Sequence, residues 1–223
     1  MKFLGGGSGY CIKLVDGKEI YDKSKDIQLP YEVEHIYPDY SLYYSPDDFD
    51  ANGKLTKLGL KHRETAYGYM SRGCPRGCNF CHVKSKEGLC SIKVADLDEF
   101  WRGQKFICLN DPNTLACKDW KDILQQLIDS KARVDFNQGL DIRMMTEEKA
   151  LMLNEIKIEA IHFAWDRWQD KDIIQPKFLK FREISTVNNH NLQVFFLQIM
   201  TPHMSKICTE LNGLKTMVLR LNK

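Results

Sequence analysis

Three cysteines, Cys74, Cys78 and Cys81, fall within eight residues that read Cys-Pro-Arg-Gly-Cys-Asn-Phe-Cys. The spacing is C-x3-C-x2-C. Thiolates are the preferred ligands of iron–sulfur clusters, which usually take four. Three from one tight loop can hold three irons of a cubane, leaving a fourth iron without a protein ligand. A metal position left open by the protein is where chemistry, rather than architecture, takes place.

Two other chemistries suit parts of this stretch. Cys78, Cys81 and His82 could join a further ligand around zinc, but a zinc ribbon normally brings a second Cys-x-x-Cys pair at a distance. Here Cys90, Cys108 and Cys117 are singletons. Cys78-Asn-Phe-Cys81 could also act as a dithiol redox pair, although no helix start is evident beside it. The spacing favours the cluster. Gly73 and Gly77 are expected to let the backbone approach an inorganic group closely, and Pro75 to stiffen the turn after the first ligand. Cys108, inside an apolar run, reads as a small core residue, and His162 as a satisfied core histidine. Cys11, Cys90 and Cys117 are too scattered for a second cluster.

A loop can present three ligands only if regular elements hold it. Ala66–Arg72 reads as a strand running into the cysteines. Residues 96–103 form a short helical candidate, and Phe106–Asn110 a second strand stopped by Asp111-Pro112. Asp119 can cap a helix with Trp120, Ile123, Leu124, Leu127 and Ile128 on one stripe. Arg133–Asn137 reads as a third strand. Thr146 caps a following helix whose first turn carries Glu147 and Glu148. Ala160–Trp165 is a fourth strand, residues 170–185 a helix interrupted in pattern by Pro176, and Leu192–Leu197 a fifth strand. Alternating strands and helices imply parallel pairing, with ligands gathered at the carboxyl ends of the strands. The cysteine loop, Asn110-Asp111, Gln138 to Arg143, and Asp166-Arg167 all stand at such ends. Residues 1–65 read as an irregular lead-in. Its Gly5–Gly9 stretch lacks the residues of a phosphate-binding loop, and the Tyr-, Pro- and Asp-rich segment 31–50 suits a loop packed through its aromatics.

The chain has 223 residues, 43% hydrophobic and 28% charged, with a net charge of +2. That composition supports a packed core and gives no electrostatic case for nucleic acid. No apolar run is long enough for a bilayer, and the first residues lack a signal-peptide core. Eight cysteines without a secretory signal suit reduced thiols in a cytoplasm.

With Phe80 just before the last cysteine, the motif resembles the signature of the radical SAM superfamily. The stretches GYMSRGCPRGCNFCHVKSKEG, KVADLDEFWRGQK, WKDILQQLIDSKARVDFNQGLDIRMMTEEKA and IHFAWD resemble a bacterial and phage subgroup of it. These cover about residues 66–196, with a weaker echo in GGSGY and EHIYPDYSLY. The resemblance implies a partial (β/α)6, TIM-like barrel over residues 66–197. It implies a [4Fe-4S] cluster on Cys74, Cys78 and Cys81, with S-adenosylmethionine chelating the fourth iron. It also implies that a one-electron donor such as flavodoxin or ferredoxin reduces the cluster, that S-adenosylmethionine is cleaved to a 5′-deoxyadenosyl radical, and that the radical takes hydrogen from a substrate. Phe80 matches the position beside the adenine. Asn110 and Asp111 stand where many members carry a motif for the methionine amino group, without its glycines. Gln138, Arg143 and Asp166 match polar positions after strands three and four, with Arg143 and Asp166 suited to the carboxylate and ribose of S-adenosylmethionine.

The resemblance also implies a further α/β segment upstream, so that Met1 is expected to be an internal start. Residues 198–223 form an atypical tail without a recognisable sixth strand. Read one nucleotide earlier with suitable synonymous codons, they permit TNYDTTHEQDLYRI, which is similar to the family's continuation. A frameshift near Leu197 is therefore expected. Sequencing the coding DNA checks it, and codons incompatible with that second reading would remove it.

Overall fold

The computed structural model describes residues 11–26, 29–43, 45–196 and 218–221. The architecture is mixed α/β around one parallel sheet. Its strands are β3 (Thr65–Gly68), β6 (Phe106–Leu109), β7 (Arg133–Leu140), β8 (Lys157–Ala164), β9 (Leu192–Phe196) and β10 (Val218–Leu221). They lie in that order across the sheet, and each neighbouring pair is parallel. The outer strands are therefore β3 and β10. Helices α4 (Trp120–Ser130), α5 (Glu147–Glu155) and α6 (Lys171–Ile184) supply three of the crossovers, and each packs against the next.

Consecutive crossovers that land next door, with helices side by side, cover one face of a sheet. Ile107, Leu109, Val134, Phe136, Ile161, Phe163 and Val194 alternate along their strands and are buried with Ile123, Leu124, Leu127, Leu153, Ile174, Phe178 and Phe181 of the helices. Phe163 meets the edges of both Phe178 and Phe181, with centroids 5.3 Å away in each case. Each such side chain contributes roughly 1.5–3 kcal/mol by leaving water. The intervening residues Tyr67, Cys108, Asp135, His162 and Phe195 fall on the other face, in a row that β3, β6 and β7 share through Tyr67, Cys108 and Asp135.

The helices follow their capping signals. Thr146 accepts from Lys149 N and starts α5. Asp119 occupies the N-cap position of α4 without making a side-chain cap bond. Pro176 lies inside α6 without ending it. It sits on the exposed side, where water can satisfy the carbonyl that its missing N–H leaves free.

Several expectations need correction. The first strand ends at Gly68. Residues Ser71–Arg72 form a separate strand, β4, antiparallel to β5 (Ile92–Lys93). Residues 96–103 make only one 3-10 turn, Leu97–Glu99, because Gly103 reverses the backbone at φ +92° and the Gln104 side chain accepts from Arg102 N. The third strand runs to Leu140 through a shift of register after Phe136, at Gly139. Gly139 has φ +91°, and a Cβ there would lie 3.2 Å from His162 O, so the bulge places β7 tightly on β8.

The lead-in is more regular than its composition suggests. It holds a hairpin of β1 (Ile12–Val15) and β2 (Lys18–Tyr21), turning at Asp16 and Gly17, both with positive φ. Two short helices follow, α1 (Tyr31–Glu34) and α2 (Lys57–Arg63). The Gly5–Gly9 stretch lies outside the described residues. Tyr40 bears out the aromatic packing expected of segment 31–50: its hydroxyl donates to Phe100 O at 2.6 Å and accepts from Tyr67 N at 3.1 Å, which blunts the free edge of β3.

At the other margin, Val218–Leu221 pairs with Gln193–Phe196 of β9. A strand therefore does lie beyond β9, contrary to the reading of the tail. The apolar Val-Leu-x-Leu run answers an edge that would otherwise present unpaired backbone groups. Residues 197–217 and 222–223 lie outside the described residues.

Tyr40→Phe removes the hydroxyl that serves both Phe100 O and Tyr67 N. The variant is expected to lose about 1–2 kcal/mol of stability, read from the midpoint of urea unfolding at unchanged slope.

Candidate metal centre and its surroundings

The cysteine loop leaves the sheet where β3 stops. Gly68 lies under the Phe100 ring, where a Cβ would sit 2.3 Å from the ring carbon. The chain then turns out through Met70 and Ser71, both held by one carboxylate. Asp111 accepts from Met70 N at 2.7 Å, from Ser71 Oγ at 2.5 Å and from Thr114 Oγ1 at 3.3 Å.

The β4–β5 ladder closes the base of the loop. Above it Gly73 adopts φ +87°, with the Cys90 carbonyl oxygen 2.1 Å from where a Cβ would stand. The close approach at Gly73 is thus to protein backbone, which corrects the role expected of it. Glu87 braces this turn. One oxygen accepts from Gly73 N at 2.9 Å and the other from Arg72 Nη1 at 3.0 Å, while the Arg72 guanidinium lies 3.9 Å over the Tyr69 ring.

Cys74, Cys78 and Cys81 are free and half-buried. Cys74 N donates to Gly88 O, and its sulfur accepts from Asn113 Nδ2 at 3.6 Å. Cys81 N donates back to Cys78 O at 3.2 Å, a tight turn. A short helix, α3 (Val83–Glu87), begins directly after His82, so a helix start does stand beside the Cys-x-x-Cys segment. The N-terminal hairpin buttresses the outer side: Glu19 N donates to Asn79 O at 3.2 Å, and Tyr21 N to Ser85 Oγ at 2.9 Å.

The charges around the thiols are legible from their acidities. Burial raises the Cys78 thiol, and the negative charges of Asp166, Cys81 and Cys74 raise it further, while Arg143 opposes them. Burial also raises Cys81, against the Val83 N–H that favours its thiolate. Without a cation these thiols keep their protons. A bound metal inverts that preference and releases them. Three half-buried sulfurs on one braced loop, mutually repulsive as thiolates, therefore suit a cationic thiophilic group. Among the described residues, no group of three or more His, Cys, Asp and Glu side chains could hold a single metal ion. A mononuclear site needs its ligands to converge on one point, whereas a cubane takes each thiolate on a different iron.

The other expected site residues separate into two sets. Asp141, Arg143 and Asp170 form a partly buried ladder: Arg143 Nε donates to Asp141 Oδ1 at 2.7 Å and Arg143 Nη1 to Asp170 Oδ2 at 2.5 Å. Arg76, between the first two cysteines, donates to Asp141 Oδ2 at 2.6 Å, and Arg167 joins Asp170 at 2.8 Å. Asp166 is close enough to Cys78 and Cys81 to raise both, yet has no hydrogen-bond or ion-pair partner among the described residues. Burial lifts its carboxyl above the ordinary value, with Arg143 pulling the other way. Phe80, 37% exposed, lies on the loop beside the third cysteine.

Asp111 and Gln138 do not join them. Asp111 is 2% exposed with both oxygens taken by backbone and hydroxyl donors, so it is a structural carboxylate and not a contact for a ligand amine. Gln138 lies within β7 and is exposed, because that strand continues past Asn137. Asn110 Oδ1 accepts from Asn137 Nδ2 at 2.9 Å, linking β6 to β7.

Two further readings change. Cys108 is half-buried on the sheet face away from the helices, and burial followed by the Asp135 charge pushes its thiol up to about 11. His162 is buried but not satisfied. Its Nδ1 has no hydrogen-bond partner among the described residues, its Nε2 lies 3.4 Å from Asp135 Oδ1, and its ring stacks on Phe195 at 4.9 Å.

Sequence reasoning did not find Glu87, Asn113 or Arg76. Each acts across 14 to 65 residues of chain, as the bonds Gly73–Glu87, Cys74–Asn113 and Arg76–Asp141 record. No local pattern marks such pairs. Compared with protein-family models, curated proteins and solved structures, the chain matches none.

Burial outweighs the hydrogen bonds at Asp111 and raises its carboxyl from 3.8 to about 6. The folded state therefore prefers the protonated acid. Its stabilising contribution is full below pH 3.8 and is lost as pH rises through about 6. Asp111→Asn keeps an oxygen for Met70 N and offers an amide to the Ser71 hydroxyl, with no charge to bury. Relative to wild type, this variant is expected to gain up to about 3 kcal/mol between about pH 4 and pH 7, measured by urea unfolding across that range.

Proposed function

We propose that this chain is a radical SAM enzyme core, with Cys74, Cys78 and Cys81 ligating three irons of a [4Fe-4S] cluster. The single observation that carries the reading is the position of the three half-buried thiols. They occupy a braced loop just beyond the end of β3, close to charged residues that follow β7 and β8. The successive order of the parallel strands and the helices on one face support a partial (β/α)6, TIM-like barrel whose inner wall is the row of Tyr67, Cys108, Asp135 and His162. Held by Cys74, Cys78 and Cys81 and reduced by a one-electron donor such as flavodoxin or ferredoxin, such a cluster would supply the one electron needed to cleave S-adenosylmethionine to methionine and a 5′-deoxyadenosyl radical.

The chain's own residues bind, orient and shield. Asp166 is a half-buried carboxylate without a hydrogen-bond or ion-pair partner among the described residues, beside the thiols, and it suits a ribose hydroxyl. Arg143 is locked on two sides by Asp141 and Asp170, so its orientation is preset and its remaining N–H groups suit a carboxylate. Phe80 offers an exposed ring beside the third cysteine for an adenine face. No helix among the described residues is long and apolar enough to cross a membrane. The free thiols suit a reducing, cytoplasmic setting.

Oxygen-free reconstitution with ferrous salt and sulfide tests the reading. Brown protein with iron and sulfide is expected, with the triple Cys74→Ala, Cys78→Ala, Cys81→Ala variant losing both. Unchanged iron in that variant, or zinc in its place, overturns the proposal. Because burial raises the Cys78 and Cys81 thiols, loading is expected to weaken as pH falls, checked by iron content after reconstitution over a pH series. Asp166→Ala is expected to keep the iron but to need about tenfold more S-adenosylmethionine for half-maximal formation of 5′-deoxyadenosine, followed by chromatography.

A further inference from the structure

Residues 75–77 lie between the first two cysteines, and their backbone makes no hydrogen bond among the described residues. The segment is held on one side by Cys74, which is tied to Gly88 and Asn113. On the other side it is held by the turn Cys78–Cys81 and by Asn79 against the hairpin. One side chain crosses from this segment to the parallel sheet. Arg76 Nε donates to Asp141 Oδ2 at 2.6 Å.

Asp141 is suited to receive it. It directly follows β7, its side chain is 6% exposed, and its other oxygen is fixed by Arg143 N at 3.0 Å and Arg143 Nε at 2.7 Å. Arg143 is in turn fixed by Asp170, beyond the end of β8. The acceptor for Arg76 is therefore rigid, and it is continuous with the carboxyl ends of two adjacent strands. Burial works against the Asp141 charge, but the hydrogen bonds from Arg143 and then Arg76 outweigh it and hold the carboxyl below its ordinary value.

We propose that Arg76 and Asp141 are positioning residues. Their bond docks the cysteine loop on the sheet and sets where Cys74 and Cys78 stand relative to Arg143 and Asp166. The proposal rests on the cluster reading only for the identity of the group that the thiols hold. The bond itself belongs to the protein alone. Its length matters as well as its charge, because a planar guanidinium aims one N–H at a fixed oxygen in a way that a lysine ammonium only approximates.

The test uses the full chain with Arg76→Gln, Asp141→Asn and Arg76→Lys. In metal-free protein, hydrogen–deuterium exchange is followed at the hydrogen-bonded amides of Cys74 and Cys81, in peptides covering 74–81, and, as a control, in those covering α4 and β8. Arg76→Gln and Asp141→Asn are expected to speed exchange in 74–81 by about tenfold or more, the loss of one charge-assisted hydrogen bond, with the control peptides unchanged and Arg76→Lys partly restored. Unchanged exchange in 74–81, or equal acceleration everywhere, overturns the proposal. After reconstitution, Arg76→Gln is expected to surrender iron to a chelator about tenfold faster than wild type, with Arg76→Lys between them. Equal release from Arg76→Gln and wild type also overturns it. If wild type takes up no iron, the cluster reading fails, and the exchange measurement on the metal-free chain still decides whether the bond docks the loop.

Discussion

One buried carboxylate fixes where the chain leaves the sheet. Asp111 holds Met70 N and Ser71 Oγ on one side and Thr114 on the other, so the turn out of β3 is tied to the turn out of β6. The cysteine loop starts three residues after Ser71 and inherits that geometry. Burial makes the charge costly, and three donors together do not offset it fully, so the carboxyl is pushed up to about 6 from the ordinary acidic range. A polar group this deep specifies one arrangement of two strand ends at some cost in stability.

The sheet is asymmetric. Its helix-covered face is continuous aliphatic and aromatic packing, whereas the other face carries a tyrosine, a cysteine, an aspartate and a histidine on neighbouring strands. Parallel sheets usually have both faces covered by apolar contact. Here the second face departs from that pattern: Tyr67, Cys108 and Asp135 stand in register across three strands, with His162 beside Asp135.

The loop answers two opposing demands. Burial favours neutral thiols at Cys78 and Cys81, while the partly buried arginine–aspartate ladder lies close enough for Arg143 to pull Cys78 the other way. Glu87, Gly73 and the β4–β5 ladder close the loop at its base, while Arg76, Asn113 and the hairpin hold its flanks. Three cysteines in eight residues do not form a rigid loop by spacing alone. Rigidity comes from partners contributed by four separate parts of the chain.

Local signals were read directly from the residues where the physics is local. The alternation of β6 to β9, the stripe of α4 and the Thr146 cap all survive in the structure, because period and capping depend on neighbours within a few positions. The row of three cysteines was equally plain. Tertiary structure decided what distance in sequence conceals. Asp111 turned inward to serve backbone donors, Gln138 stayed within a strand that a bulge at Gly139 prolonged, and residues 12–21 folded into a hairpin against the loop. Arg76 found Asp141 across 65 positions. A charge or an amide has no periodicity of its own; its role depends on which donor or acceptor the fold brings within hydrogen-bond reach, and only the packed chain determines that.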